Sequence, residues 1–144
     1  MRLVSTALVV AIASCVTCAS EGAPLAGAVS AAVVRVIDGD TFEARAEVWP
    51  DIHVTVAVRV AGIDAPELHA RCAREREAAV SARALLAGAL PPGAAVLLTR
   101  IAHDKYAGRV IAEVWLPDGR AAAPLLLGAG LAAAYGQPQD WCSG

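Results

Sequence analysis

The sequence predicts an α+β domain: a five-stranded Greek-key β-barrel of the OB type, with a helix between the third and fourth strands and a short C-terminal helix. Three observations predict it. Apolar residues alternate at period two in several short runs, one longer segment between residues 67 and 90 carries helical periodicity, and Pro/Gly clusters separate the runs in the order strand, strand, strand, helix, strand, strand, helix. The chain has 144 residues, room for one domain and one core.

Residues 20–30 are small and without period, so they read as a spacer, with the domain running from Ala31 to Gly144. Val33, Val34, Val36 and Ile37 form a first strand that ends at the turn-forming Asp38-Gly39. In the second, Phe42, Ala44, Ala46 and Val48 alternate with Glu43, Arg45 and Glu47 until Trp49-Pro50-Asp51 breaks the run. The third extends from Ile52 to Ile63, with valines at 54, 56, 58 and 60 on one face and Arg59 on the other. After Pro66, residues Glu67 to Leu90 predict a helix with Leu68, Cys72, Ala79, Leu86 and Leu90 near one face, ended by Pro91-Pro92-Gly93. Ala95–Ile101 and Arg109–Leu116 are the last two strands, and Pro124–Ala134 is a Leu-rich helix weakened by Gly128 and Gly130.

Composition limits the function classes. The formal charge is −2, so no global positive field draws in a polyanion, and any such binding is local. Residues 1–19 combine Arg2 with a nearly uncharged run to Ala19, the layout of a secretory signal peptide. A competing reading takes Ile12-Ala13-Ser14-Cys15 as a lipoprotein box, with Cys15 lipidated and the domain anchored to a membrane. Either route exports the protein, making it secreted, periplasmic or held at the cell envelope. Of the four cysteines, Cys15 and Cys18 fall in the leader. Cys72 and Cys142 remain as a disulfide candidate in an oxidising compartment, the alternative being two buried thiols.

Three strings carry chemistry: Asp38-Gly39-Asp40-Thr41; Arg59 with Asp64-Ala65-Pro66-Glu67; and Asp104-Lys105-Tyr106-Ala107-Gly108-Arg109. If the first three strands are neighbours, Asp38, Asp40 and Asp64 can meet at one end of the sheet, where an all-oxygen donor set suits Ca²⁺ or Mg²⁺. Read singly, each string has a plain structural account: a hairpin turn, a helix cap, a first-turn glutamate, surface ion pairs.

Taken in this order, the strings resemble the active site of the staphylococcal nuclease (thermonuclease) family, from about Ala31 to Tyr135. The resemblance implies an OB-fold, Ca²⁺-dependent endonuclease of the micrococcal nuclease type, hydrolysing phosphodiesters in DNA or RNA and leaving 3′-phosphate ends. It assigns Asp40, Asp64 and the Ala65 carbonyl to the metal, with Asp38 in support. Glu67 falls to the attacking water, Arg59 and Arg109 to the phosphate, and Lys105, Tyr106 and, loosely, Tyr135 to the nucleotide. Arginine suits phosphate because its planar fork binds oxygen pairs and stays charged. Four departures stand out: Ala107 is an extra residue before Gly108-Arg109, the Asp40–Arg59 stretch is long, a third C-terminal helix is missing, and the basic surface is absent. No stable protein partner is implied, so a monomer is expected. The rival reading is a non-catalytic OB-type module for nucleic acid or another anionic partner.

Overall fold

A computed structural model describes residues 23–143. The expected signal segment and Cys15 lie outside the described residues. The elements run β1 (Leu25–Val36), β2 (Thr41–Trp49), β3 (Ile52–Val60), β4 (Ile63–Asp64), α1 (Ala73–Ala89), β5 (Ala95–His103), β6 (Arg109–Trp115), α2 (Ala122–Gly128) and β7 (Ala133–Ala134). Five strands close a barrel in the order β1-β2-β3-β6-β5, and β4 pairs with β7 in a small separate sheet. The expected α+β barrel with two helices is therefore the fold.

The inward face of each strand is the apolar one that its alternation predicts. Phe42, Ala44, Val58, Val60, Leu98, Ala112 and Val114 are buried, and Ile63, Leu86, Leu90 and Leu126 complete the core. Full burial of a Leu, Ile or Phe side chain contributes about 1.5–3 kcal/mol. The β1–β2 and β2–β3 pairings are antiparallel, while β3 and β6 pair in parallel from Ala57↔Arg109 to Val60↔Ala112. That parallel seam sets Arg109 beside the strand that carries Arg59.

Four boundaries differ from expectation. Residues 25–30, expected as spacer, are strand: β1 starts at Leu25 and pairs with β5 through Leu25↔Ile101 and Val29↔Leu98. Small residues carry little strand signal of their own, but backbone pairing that closes the barrel overrides it. The third strand is split at Ala61-Gly62, where Gly62 takes φ 80°, a left-handed conformation open to glycine at little cost. The first helix begins at Ala73, not Glu67, with Cys72 as its N-cap. Pro66 keeps the preceding residue extended, and residues 65–72 form an irregular segment. Finally, α2 ends at Gly128, and the chain continues into β7 instead of remaining helical to Ala134.

Cys72 and Cys142 form a disulfide, with Cα atoms 5.9 Å apart. It fastens the last residues to the start of α1. Among the described residues, no helix is long and apolar enough to cross a membrane.

Candidate active site

The turn between β1 and β2 is built by its own polar groups. The N–H groups of Ile37 and Asp38 donate to the Thr41 carbonyl at 2.9 and 3.1 Å, and the Asp40 N–H donates to Asp38 Oδ1 at 3.2 Å. This self-capping explains why Asp and Gly dominate here. Gly39 is needed for space: a Cβ there would lie 2.8 Å from the Cβ atoms of both Ala65 and Ala82. The turn thus wedges between α1 and the segment after β4.

Asp40 is almost fully covered, its side chain 7% exposed. Its Oδ1 accepts the Thr41 hydroxyl at 2.8 Å, while Oδ2 accepts the Ala65 N–H at 3.2 Å and faces Arg59 Nη1 at 2.9 Å. Burial raises its pKa, with the Asp38 charge adding to the rise; Arg59, Thr41 and the Ala65 N–H pull it down but do not cancel the desolvation. Arg59 Nη2 also pairs with Asp64 Oδ1 and donates to the Ile63 carbonyl at 3.2 Å. One guanidinium therefore joins Asp40 in the β1–β2 turn to Asp64 in β4. β7 braces β4 from its other side through Ile63↔Ala134 and Asp64↔Ala133, and the Tyr135 N–H donates to the Gly62 carbonyl at 3.0 Å.

The second arginine is held by a residue to which sequence reasoning gave no role. Arg109 Nε donates to Asp104 Oδ2 at 2.6 Å, and the Asp104 side chain is only 4% exposed. The bond from Arg109 holds the Asp104 carboxyl below the usual carboxylate range and raises the pKa of Arg109 in turn. Tyr106 stacks beneath Arg109, with the guanidinium carbon 4.6 Å from the ring centroid, and Lys105 Nζ sits 5.1 Å from the same ring. Ala107 falls in this loop, which the Asp104 N–H closes onto the Arg109 carbonyl at 3.4 Å.

These residues meet in one open cleft of roughly 610 Å³, lined by Asp38, Asp40, Arg59, Asp64, Ala65, Glu67, Lys105, Tyr106, Arg109 and Tyr135, with Asp104 and Ile111 also in its wall. Every cleft residue singled out from the sequence lines it. Glu67 is exposed and lies in the segment before α1, off the helix. The three aspartates do not form a tight carboxylate cluster, because Arg59 stands between Asp40 and Asp64. Among the described residues, the trio with ligand atoms mutually within 4.8 Å is Cys72, Glu75 and Cys142, and the disulfide uses both sulfurs. Asp104 was missed because only the closed loop brings it against Arg109, five residues away.

A closed five-stranded barrel with an acidic and arginine-lined cleft is the class that fold and site define. The family model described as "Staphylococcal nuclease homologue" matches residues 57–142, and the chain belongs to that family. It is 33% identical over 105 residues to an "Uncharacterized endonuclease" of Escherichia coli and, to the same extent, to a protein so named from Escherichia coli O157:H7. The match covers 73% of this chain and 60% of each relative's length. The family is generally metal-dependent and acts on nucleic acid.

Proposed function

We propose that this chain is an exported, Ca²⁺-dependent endonuclease that hydrolyses phosphodiester bonds in DNA or RNA. The observation that carries the reading is the convergence on one open cleft of two arginines, a solvent-reached glutamate and the aspartates at 38, 40 and 64. The donor chemistry fits a hard cation: the Asp40 and Asp64 carboxylates and the Ala65 carbonyl are all oxygen, and the burial that raises the Asp40 pKa is relieved by positive charge. Asp38 supports this set by holding the Asp40 main chain. Bound Ca²⁺ supplies positive charge against the phosphate oxygens.

This chain's own residues then act as follows. Asp104 engages Arg109 through Nε, which leaves the two terminal nitrogens to bind a phosphate in bidentate fashion. Arg59 supplies the second guanidinium from the neighbouring strand β3. Glu67 accepts the proton of the attacking water, whose oxygen forms a bond to phosphorus as the bond to the 5′ oxygen breaks. The leaving oxygen takes its proton from solvent, and the 3′ side keeps the phosphate. Lys105 and Tyr106 contact the neighbouring nucleotide, and Tyr135 offers a further ring at the rim, 69% exposed.

The test is hydrolysis of single-stranded DNA and of RNA by the purified protein, with Ca²⁺ and with chelator, beside Glu67→Gln and Arg59→Ala. Metal-requiring activity that collapses in both variants, with 3′-phosphate products, supports the reading. A folded wild type that binds oligonucleotides but cleaves none, with Ca²⁺ or Mg²⁺ and across pH, overturns it in favour of a binding module.

A further inference from the structure

The irregular segment 65–72 carries Glu67, yet has no strand or helix of its own to fix its shape. One main-chain bond inside it, from the Ala70 N–H to the Glu67 carbonyl at 3.2 Å, makes a turn, and the rest of its ordering comes from side chains on the first turn of α1. Glu75 Oε1 accepts the Glu67 N–H at 3.3 Å. The next residue, Arg76, donates from Nη1 to the carbonyls of Ala70 at 2.9 Å and Arg71 at 3.2 Å. An acid and a base at adjacent positions thus take the segment's amide and its carbonyls, each by the charge that suits it. The far end is tied by Ala65 N–H to Asp40. Glu75 is itself hemmed in: its own N–H donates to Cys72 Sγ at 3.4 Å, and its Oε2 lies 3.7 Å from Cys142 Sγ.

We propose that Glu75 and Arg76 are positioning residues that clamp the Glu67 segment, with the Cys72–Cys142 bridge seating Glu75 for that task. Neither residue lines the cleft; both act through the main chain of the segment that carries the base. The inference rests on the nuclease reading for its catalytic consequence, but the clamp has a structural consequence of its own. A base displaced by about 1 Å costs up to about a hundredfold in rate, so loss of the clamp is expected to lower kcat while leaving KM in place.

The experiment compares Glu75→Ala, Glu75→Gln and Arg76→Ala with wild type, by amide hydrogen exchange and by steady-state cleavage of single-stranded DNA. Glutamine keeps an acceptor oxygen at the same reach. The Glu67 amide is expected to exchange about tenfold faster in Glu75→Ala, with the Ala65 amide and the barrel amides unchanged, and to regain protection in Glu75→Gln. The alanine variants are expected to lose about ten- to a hundredfold in kcat with KM within about twofold, and Glu75→Gln to stay near wild type. Unchanged Glu67 exchange in Glu75→Ala overturns the clamp, as does a glutamine variant as impaired as the alanine one. Loss of protection across the whole barrel in Arg76→Ala and Glu75→Ala alike would also overturn it, showing a stability role. If wild type itself cleaves nothing, the nuclease reading fails while exchange still decides the clamp.

Discussion

Replacing Gly39 with alanine adds one methyl group where two are already waiting. The new Cβ would meet Ala65 Cβ and Ala82 Cβ at 2.8 Å each, whereas ordinary contact begins near 3.4 Å. Both neighbours must therefore give about 0.6 Å, or the turn must move. Neither neighbour is the end of a flexible chain: Ala82 sits in the buried face of α1, and Ala65 is tied to Asp40. Overpacking of this kind costs about 1–3 kcal/mol, and a domain of this size loses roughly 3–5 °C in Tm per kcal/mol. The relaxation that costs least lifts the Asp38–Asp40 turn away from Ala65, stretching the 3.2 Å bond from Ala65 N–H to Asp40. Gly39→Ala is therefore expected to lose stability and activity together, and the added change Ala82→Gly, which removes one clash and leaves the one with Ala65, is expected to recover activity in part and stability less, since glycine inside a helix costs about 1 kcal/mol itself. Thermal melts beside cleavage rates check this. A Gly39→Ala protein that melts within about 1 °C of wild type at full activity would refute the packing argument.

Arg59→Ala is expected to lower cleavage roughly a thousandfold or more, by analogy with arginine in phosphoryl transfer, and Arg59→Lys to rescue little because the two-acid bridge needs the fork; rates at saturating substrate test both. Asp104 has a depressed pKa in the fold, so its ionised form contributes stability above the unfolded carboxylate pKa and that stability is lost as pH falls through the folded value. Asp104→Asn should thus melt below wild type at pH 7, and the gap should close as pH falls below about 4. Asp40 has the opposite sign: its raised pKa means that ionisation costs stability above the folded value and nothing below the unfolded one. With chelator at pH 7–8, Asp40→Asn is expected to match or exceed wild type in Tm, while gaining less stability from added Ca²⁺. Converting Cys72 and Cys142 to serine should destabilise by about 4 kcal/mol at most, the chain-entropy value for a loop of this length; a denaturant titration reads it, and serine at 72 still caps α1.

The barrel was legible because its inward face alternates cleanly: Phe42, Ala44, Ala46, Val58 and Val60 can face only one way. That the residues of the three strings form one group was legible from their order along the chain, and the structure sets them in one cleft. What escaped the sequence depends on partners distant along the chain. Strand β1 from Leu25 gains its order from β5, some 70 residues later, and the small-residue run 25–30 shows no pattern that anticipates it. Helix α1 starts six residues later than its sequence pattern predicts: Glu67–Cys72 has helical composition, and nothing local shows that the Glu67 amide and the Ala70 and Arg71 carbonyls bond to Glu75 and Arg76. Asp104 looked like a loop residue until the hairpin closed on Arg109.

The site also shows where this small domain spends stability and where it recovers it. Asp40 is buried against its own electrostatic preference, and Arg59, its partner, is shared with Asp64. A buried pair of this kind is weak support for a fold, and Arg59 keeps Asp64 as a partner when Asp40 is neutral. The compensating order is placed around it: the parallel β3–β6 seam fixes the two arginine-bearing strands, β7 backs Asp64, and the disulfide anchors the tail at the head of α1. With a net charge of −2 over the whole sequence, long-range attraction of a polyanion is absent, so the proposed function assigns phosphate recognition to Arg59, Lys105 and Arg109 at contact range. Because such contacts still release counterions, affinity for single-stranded DNA should fall with salt, but with a slope set by about three phosphates. A slope several times steeper would mean that a basic surface outside the cleft does the binding.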